Sequence, residues 1–171
     1  MSYAIVYDSR TGNTEALARA VAAALPSEGR LAFGGVDEVD RAAVAQADRV
    51  YAGFWTNRGD CGDELAEVLA SLADKDVFLF GTAGFGADET YFAGVMARVA
   101  VHLPESARIA GTFMCQGRMP ASVRARYAQT AEAKPEQAAR MHQLIENFDE
   151  AASHPDDDDL ARLREAVQAA S

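Results

Sequence analysis

The 171-residue sequence has few of the features that mark disulfide-bonded, zinc-binding or membrane-spanning proteins. Its two cysteines, Cys61 and Cys115, are too few for a disulfide framework and stand in no metal-binding spacing. The three histidines are scattered, which argues against a zinc site. No apolar run approaches the ~20 residues that a membrane span needs, and the N-terminal segment lacks the basic start of a signal peptide. We therefore expect a cytoplasmic protein.

Positive charge is also scarce, because 16 Lys and Arg residues stand against 26 Asp and Glu residues, giving a net charge of −10. Nucleic acids and anionic membranes both bind through basic patches, so neither is expected as a main partner. A hydrophobic content of 49% excludes a disordered chain, and the length fits one compact domain.

Short apolar segments alternate with Ala-rich helical segments along the first two thirds of the chain. Residues 3–7, YAIVY, form a continuous apolar run typical of a strand buried on both faces. Further strands are predicted at 31–33, 49–54, 77–80 and 108–115, with helices at 13–25, 40–47, 62–72 and 90–101. This alternation predicts an α/β fold with a doubly wound, five-stranded parallel sheet of flavodoxin-like order 2-1-3-4-5.

The last third of the sequence is mainly helical, so extra C-terminal helices are expected. We assign residues 1–152 to the main domain and residues 153–171 to a helix packed on the same domain. Four consecutive aspartates at 156–159 open this helix. Carboxylates complement the dipole at a helix N-terminus, so we interpret the run as a cap with Ser153 or Asp156 as capping residue. A docking or ligand-binding role is the alternative.

Ligands of open α/β sheets bind beyond the carboxyl ends of the strands where the strand order reverses, here the loops after strands one, three and four. A helix N-terminus after strand one favours an anion, and three hydroxyls there can donate hydrogen bonds to phosphate oxygens. The motifs of P-loop and Rossmann nucleotide sites are absent, and the loop has no cysteine for phosphatase chemistry. The alternative is a helix cap without a ligand. The predicted phosphate loop is Ser9, Arg10, Thr11, Gly12, Asn13 and Thr14.

This segment, following YAIVYD, resembles the (S/T)-x-T-G-N-T phosphate loop of flavodoxins, and the resemblance in order and spacing covers residues 2 to about 118. The stretches GFW at 53–55, FGTAG at 80–84, GTFMCQG at 111–117 and HPDDDDL at 154–160 resemble the BilS-type flavodoxin-like branch. The superfamily resemblance implies FMN as the cofactor. The resemblance to the branch implies an electron-transfer or accessory partner of a reductase.

The loop after strand three contains the only tryptophan, Trp55, where the isoalloxazine ring of a flavin would lie. Trp55 either stacks on that ring or is a core or rim residue, in which case Arg58 lies over the ring. The Gly59–Asp60 pair resembles the flavodoxin Gly-Asp pair whose peptide turns toward the reduced flavin, and glycine tolerates both orientations. The site residues predicted in this loop are Trp55, Thr56, Asn57, Arg58, Gly59 and Asp60.

The loop after strand four, 81–88, contains three glycines that allow a close approach to a flat ligand. The family resemblance implies that its backbone groups pair with the pyrimidine edge of the flavin. Phe85 is the candidate aromatic contact, with Tyr91 as its rival, and a plain connecting loop is the alternative to a binding loop. The site residues predicted in this loop are Thr82, Ala83, Gly84, Phe85 and Gly86.

No catalytic residue or metal ligand is assigned, and we expect Cys115 to be buried for packing and Cys61 to be exposed. The resemblance predicts an FMN-binding electron carrier that exchanges electrons with a redox partner, a reductase, with the acidic surface attracting a basic partner face. An NAD(P)H-dependent reductase of quinones or other small molecules and a flavin-free accessory module are the alternatives. The sequence argues against a phosphorylatable receiver, because strands one, three and five end in Asp8, Phe54 and Cys115.

Overall fold

A computed structural model describes residues 1–86 and 88–171, in which one parallel sheet is covered by helices. Ala87, which falls within the predicted third loop, lies outside the described residues. The strands are β1 (Tyr3–Tyr7), β2 (Arg30–Gly35), β3 (Arg49–Trp55), β4 (Asp76–Ala83) and β5 (Arg108–Gln116). The helices are α1 (Asn13–Ala24), α2 (Arg41–Gln46), α3 (Asp63–Ala70), α4 (Glu89–Ala100), α5 (Ala121–Ala133), α6 (Ala138–Ala151) and α7 (Asp157–Ala169).

The strand order is β2-β1-β3-β4-β5 and all neighbouring strands are parallel, which confirms the predicted fold class. The structure differs from the prediction at the end of β4, where Thr82 and Ala83 belong to the strand and not to the following loop. These residues pair with Cys115 and Gln116 of β5, and Thr82 also faces Trp55 of β3. The ladder of backbone hydrogen bonds therefore continues beyond the apolar run from which the strand was predicted.

Two apolar clusters lie on opposite faces of the sheet, because successive strand residues point to opposite sides. Leu17 and Val21 of α1 join Leu163 and Val167 of α7 in the cluster on one face. Helices α2, α3 and α4 supply buried residues to the cluster on the other face. The helices therefore wind over both faces of the sheet, and its carboxyl edge stays open between them.

Two glycines in the central strands make room for aromatic rings of the neighbouring strand. Gly53 of β3 is the register partner of Phe80 of β4, and a Cβ atom on Gly53 would lie 2.3 Å from Phe80 Cε2. In the next register pair, a Cβ on Gly81 would lie 2.4 Å from Phe54 Cζ. Both rings are fully buried. Each ring therefore fills, on its own face of the sheet, the space that a glycine leaves.

Asp156 caps α7, which confirms the capping interpretation of the aspartate run and selects Asp156 over Ser153. The Asp156 carboxylate accepts the Asp159 N–H at 2.9 Å, and the Asp159 carboxylate accepts the Asp156 N–H at 3.1 Å. The buried Asp159 carboxylate also contacts His154 Nδ1 at 2.5 Å and the Arg162 guanidinium. Burial raises the pKa of Asp159, but its hydrogen bonds with His154, Asp156 and Arg162 outweigh burial and hold the pKa below its ordinary value.

Replacing Asp159 with asparagine is expected to destabilise the protein at pH 7 by about 2 kcal/mol, because the partners of this buried carboxylate lose a charged acceptor. A carboxyl group with a lowered native pKa stabilises the fold above its unfolded pKa of about 4, and this contribution is lost as the pH falls through the native pKa. The difference between Asp159→Asn and the parent protein in denaturant unfolding should therefore shrink toward pH 3. Asp158→Asn, on the exposed side of the same turn, is the control, and an equal loss in both variants would contradict the assignment.

Helix α7 packs against α1 and β5, as expected for a helix that closes the sheet. Helices α5 and α6 are joined by a 3₁₀ turn at Pro135–Gln137 and pack against each other as a hairpin. In the sequence, this hairpin lies between β5 and α7. Within the described ranges, no helix has both the length and the apolar character needed to cross a membrane.

Candidate functional site

A cavity of about 820 Å³ lies at the carboxyl ends of β1, β3 and β4, where the sequence predicts a ligand site. Most of the predicted site residues line it: Ser9, Arg10, Thr11, Asn13, Thr14, Trp55, Thr56, Arg58, Gly59, Thr82, Ala83, Gly84 and Phe85. The other predicted residues, Gly12, Asn57, Asp60 and Gly86, lie in the same loops but are not among the cavity-lining residues.

Helix α1 points its N-terminus toward this cavity. Unlike α2, α4 and α7, it begins at a residue without a capping side chain. Gly12 is its N-cap residue, with φ +87°, and supplies no side-chain hydrogen bond. In α2, α4 and α7 an aspartate at the N-cap accepts backbone N–H groups of the first turn. Because free N–H groups and the helix dipole favour an anion, the start of α1 is suited to hold a phosphate.

The hydroxyl groups of the predicted phosphate loop differ in their availability. Ser9 Oγ accepts the Glu15 N–H at 3.1 Å, and Thr11 Oγ1 accepts a hydrogen bond from Asn13 Nδ2 at 3.1 Å. Since both oxygens act as acceptors in these bonds, each hydroxyl keeps its proton for donation to a ligand. Thr14 is fully buried, and its Oγ1 pairs with Thr82 Oγ1 at 3.1 Å. Thr14 thus ties α1 to β4 as well as lining the cavity.

Asn13 is buried in the cavity wall and uses only part of its hydrogen-bonding capacity. Its Nδ2 group donates to Thr11 Oγ1 and to the Arg118 carbonyl at 2.8 Å, which joins the first loop to the loop after β5. Gly117 packs closely against it, since a Cβ there would lie 2.6 Å from Asn13 Nδ2. Asn13 Oδ1 is buried and has no hydrogen-bond partner within the described part of the chain. Unpartnered buried oxygens of this kind are rare in folded proteins.

The charged residues that line the cavity are arginines, although the chain as a whole carries a net charge of −10. No aspartate or glutamate is among the described lining residues, so the lining presents a positive rim to solvent. A positive rim around a concave site concentrates anions there. The cavity-lining arginines are Arg10, Arg58, Arg98, Arg118 and Arg126.

Trp55 lies half-buried at the cavity wall, held by residues from the end of β1. Its indole Nε1 donates to Asp8 Oδ2 at 3.0 Å, and the Arg10 guanidinium lies 5.3 Å from the centre of the ring. Burial raises the pKa of Asp8, and the hydrogen bond from Trp55 partly offsets this effect. The indole is therefore fixed in position, and direct stacking of Trp55 on a ligand ring remains a prediction.

The second loop forms a tight turn at 57–60, in which Asn57 and Asp60 exchange backbone hydrogen bonds of 2.7 and 3.0 Å. Arg58 and Gly59 at its centre have positive φ values of 52° and 86°. The Gly59 carbonyl, which belongs to the peptide expected to reorient, accepts a hydrogen bond of 2.6 Å from Arg98 Nε. Asn57 and Asp60 therefore shape the turn, while Gly59 and Arg58 reach the cavity.

The loop after β4 brings both candidate aromatic residues to the cavity. Phe85 is 48% exposed, and its ring centre lies 6.3 Å from that of Tyr91 in an edge-to-face contact. Both residues line the cavity, so each stays a candidate contact for a flat ligand. Gly86 lies behind the lining, with φ +71°.

Several cavity residues escaped the sequence analysis. They lie on α4, in the loop after β5 and on α5, and the motifs of the first three loops contain no signal for them. The short run Gly117–Pro120 after β5 was detectable, because strands one, three and four already place ligand loops at this edge of the sheet. The missed lining residues are Arg98, Gly117, Arg118, Met119, Pro120, Val123, Arg126 and Tyr127.

The prediction that Cys61 is exposed is wrong, because it is only 7% exposed and packs in the apolar cluster with α3. Burial, together with the negative charge of Asp60, raises the pKa of the Cys61 thiol to about 12. Cys115 is buried as predicted, and burial also raises the pKa of its thiol. Raised pKa values keep both thiols protonated at neutral pH, which disfavours a nucleophilic role.

The flavodoxin domain model matches residues 4–168 of this chain. The flavodoxin-like domain-containing protein BilS of Clostridium symbiosum (strain WAL-14163) is 37% identical and aligns over 96% of this chain and 93% of its own length. BilS of Clostridioides difficile (strain CD3) is 27% identical over 94% of this chain and 90% of its own length. The crystal structure of oxidised Flavodoxin 2 from Bacillus cereus has the same fold, with a TM-score of 0.57, 17% identity and coverage of 99% of this chain and 97% of that chain. The chain therefore belongs to the flavodoxin family, in the branch of the BilS-type flavodoxin-like proteins.

Proposed function

We propose that this chain binds FMN in the cavity at the carboxyl edge of its sheet and carries electrons for a partner reductase. Membership of the flavodoxin family supports FMN as the ligand. The observation that carries the proposal is the start of α1, where the N-cap residue Gly12 supplies no side-chain hydrogen bond, at the wall of an arginine-lined cavity.

The phosphate group of FMN fits the start of α1. Free N–H groups of the first turn, with the hydroxyl protons of Ser9 and Thr11, would donate to its oxygens. The nearby Arg10 adds a positive charge.

The flavin ring fits the part of the cavity bounded by Trp55, the 57–60 turn and the loop after β4. When bound, FMN supplies one- and two-electron redox chemistry at this edge of the protein. Trp55, Phe85 and Tyr91 provide apolar surface for the ring, and the backbone of Gly59 and Gly84 can approach it closely. Helix α5 supplies a further wall.

The rival to the carrier role is an NAD(P)H-dependent reductase of quinones or other small molecules. A partner reductase would dock at the edge where the flavin lies, through a small and transient interface. The two functions differ in whether NADH or NADPH alone reduces the flavin. A flavin-free accessory module differs from both because it would retain no flavin.

We expect the purified protein to retain yellow flavin after FMN addition and desalting. In an anaerobic titration followed by absorbance, dithionite should reduce the bound flavin, whereas NADH and NADPH alone should not. Direct reduction by either nicotinamide would overturn the carrier function in favour of the reductase. Loss of all flavin on desalting, with no binding in a fluorescence titration, would contradict FMN binding itself.

A further inference from the structure

The α5–α6 hairpin forms one wall of the cavity. Its two helices pack against each other, and the Arg124 guanidinium joins the Asp149 carboxylate through bonds of 2.8 and 3.0 Å. Val123, Arg126 and Tyr127 of α5 line the cavity. The hairpin is therefore a unit with its own internal contacts, and that unit covers the predicted flavin site.

The attachment of this hairpin to the rest of the domain is weak in apolar contacts. Met141, Phe148 and Ala151 of α6 are buried, but neither apolar cluster of the sheet includes, among the described residues, a side chain from 121–151. The chain enters the hairpin after Pro120 and leaves it at Ala151, through the short segments that connect it to β5 and α7. Few buried apolar contacts between two parts of a protein allow them to separate without global unfolding.

One side chain provides the polar attachment. Asn147 of α6 donates from Nδ2 to the Gly84 carbonyl at 2.8 Å and accepts the Gly86 N–H at Oδ1, at 3.2 Å. Its Oδ1 also accepts a hydrogen bond of 3.3 Å from Gln116 Nε2 at the end of β5. Of the hairpin side chains that the structure describes, only that of Asn147 hydrogen-bonds to a residue outside 121–151.

The chemistry of this contact requires a carboxamide, which has a donor and an acceptor on one planar group. An aspartate would keep the acceptor for Gly86 but would turn a second oxygen toward the Gly84 carbonyl. A leucine would keep the size and lose all three hydrogen bonds. Asn147 is not among the cavity-lining residues, so it holds the Gly84–Gly86 loop from behind and leaves the front of the loop for a ligand.

We propose that the α5–α6 hairpin is a hinged cover over the cavity and that Asn147 is the positioning residue that latches it to the loop after β4. With the latch closed, the wall formed by α5 and the wall formed by Gly84 and Phe85 keep a fixed spacing. With the latch open, the hairpin swings from its two connections and gives a ligand a path in and out. The function of the cover for a flavin rests on the proposed FMN binding, whereas the latch itself does not.

The latch is tested first without any ligand, by hydrogen–deuterium exchange of the FMN-free protein. Asn147→Leu should speed exchange of the Gly86 amide at least tenfold, and likewise of the Val123 and His154 amides, whose bonds to the Pro120 and Ala151 carbonyls lie at the two connections of the hairpin. Asn147→Asp should give an intermediate effect. Arg124→Gln is the matched control, because it removes a tie within the hairpin and leaves the latch intact. Unchanged exchange in Asn147→Leu, or equal acceleration in Arg124→Gln, would overturn the latch.

The cover is tested with FMN as the probe, by stopped-flow fluorescence of flavin binding and release. Asn147→Leu should raise both the association and the dissociation rate constants at least tenfold, so that the dissociation constant changes less than either rate. A merely structural contribution would weaken binding through faster release alone, and that result would overturn the cover. If the parent protein binds no FMN, the proposed function fails, and the exchange experiment still decides whether the latch exists.

Discussion

The variant Gly53→Ala is expected to lose about 3 kcal/mol of unfolding free energy, because a methyl group at this position overlaps a fully buried ring. The added Cβ would lie 2.3 Å from Phe80 Cε2 and 2.4 Å from Phe80 Cζ, far inside contact distance. Phe80 is enclosed by its apolar cluster, so the ring cannot move away without displacing other core residues. Denaturant unfolding followed by circular dichroism measures the loss.

Two further variants distinguish the steric overlap with Phe80 from a general effect of replacing glycine with alanine. In the Gly53→Ala background, Phe80→Leu should cost less than it does in the parent protein, because the overlap is relieved. Gly94→Ala is the matched control, since Gly94 lies within α4 and its Cβ would have no neighbouring atom within 4 Å. It should stabilise the protein by about 0.5–1 kcal/mol. Additive effects of Gly53→Ala and Phe80→Leu would contradict the steric explanation.

The second large effect is expected on ligand affinity, where Thr11→Val should weaken FMN binding about ten- to a hundredfold while leaving the fold intact. The Thr11 hydroxyl keeps its proton for a phosphate oxygen, and a hydrogen bond to a charged group contributes about 1.5–3 kcal/mol. Flavin fluorescence quenching gives the dissociation constant. Adding Thr14→Val should weaken binding further and also cost stability, because Thr14 is buried and paired with Thr82.

Riboflavin, which lacks the phosphate group, is the control ligand for this prediction. The affinity of Thr11→Val for riboflavin should equal that of the parent protein, so that the variant changes only the preference for FMN over riboflavin. Equal losses for both ligands would show that the substitution distorts the cavity. Unchanged affinity for FMN would contradict the assignment of residues 9–14 as the phosphate loop.

The sheet and its loops were predictable because local sequence determines them. The apolar run at β1 and the later runs at β3 and β4 allow burial on both faces, and this burial is what parallel strands between helices require. The glycines and hydroxyl residues of the first loop mark a backbone that approaches an anion at a helix N-terminus. These short-range patterns led to the strand order and to most residues that line the cavity.

The remaining features depend on contacts between distant parts of the chain. Cys61 follows a polar turn and was expected to be exposed, but the packing of α3 against the sheet buries it. Asn147 lies 61 residues beyond the Gly86 amide to which it bonds, and no local pattern announces that pairing. The α5–α6 hairpin likewise lies in the chain between β5 and α7, and its position depends on contacts with the loop after β4, which is distant in sequence. Amphipathic spacing can predict such helices but not where they pack.

Because arginines line the cavity, the local charge there is positive although the net charge of the molecule is negative. At physiological salt the screening length is about 8 Å, so an anion close to the cavity senses Arg58, Arg118 and Arg126 more strongly than carboxylates on the far side of the molecule. The protein can therefore capture a dianion rapidly although both partners are negatively charged overall. An anionic ligand is therefore attracted to this part of the surface more than to the acidic remainder.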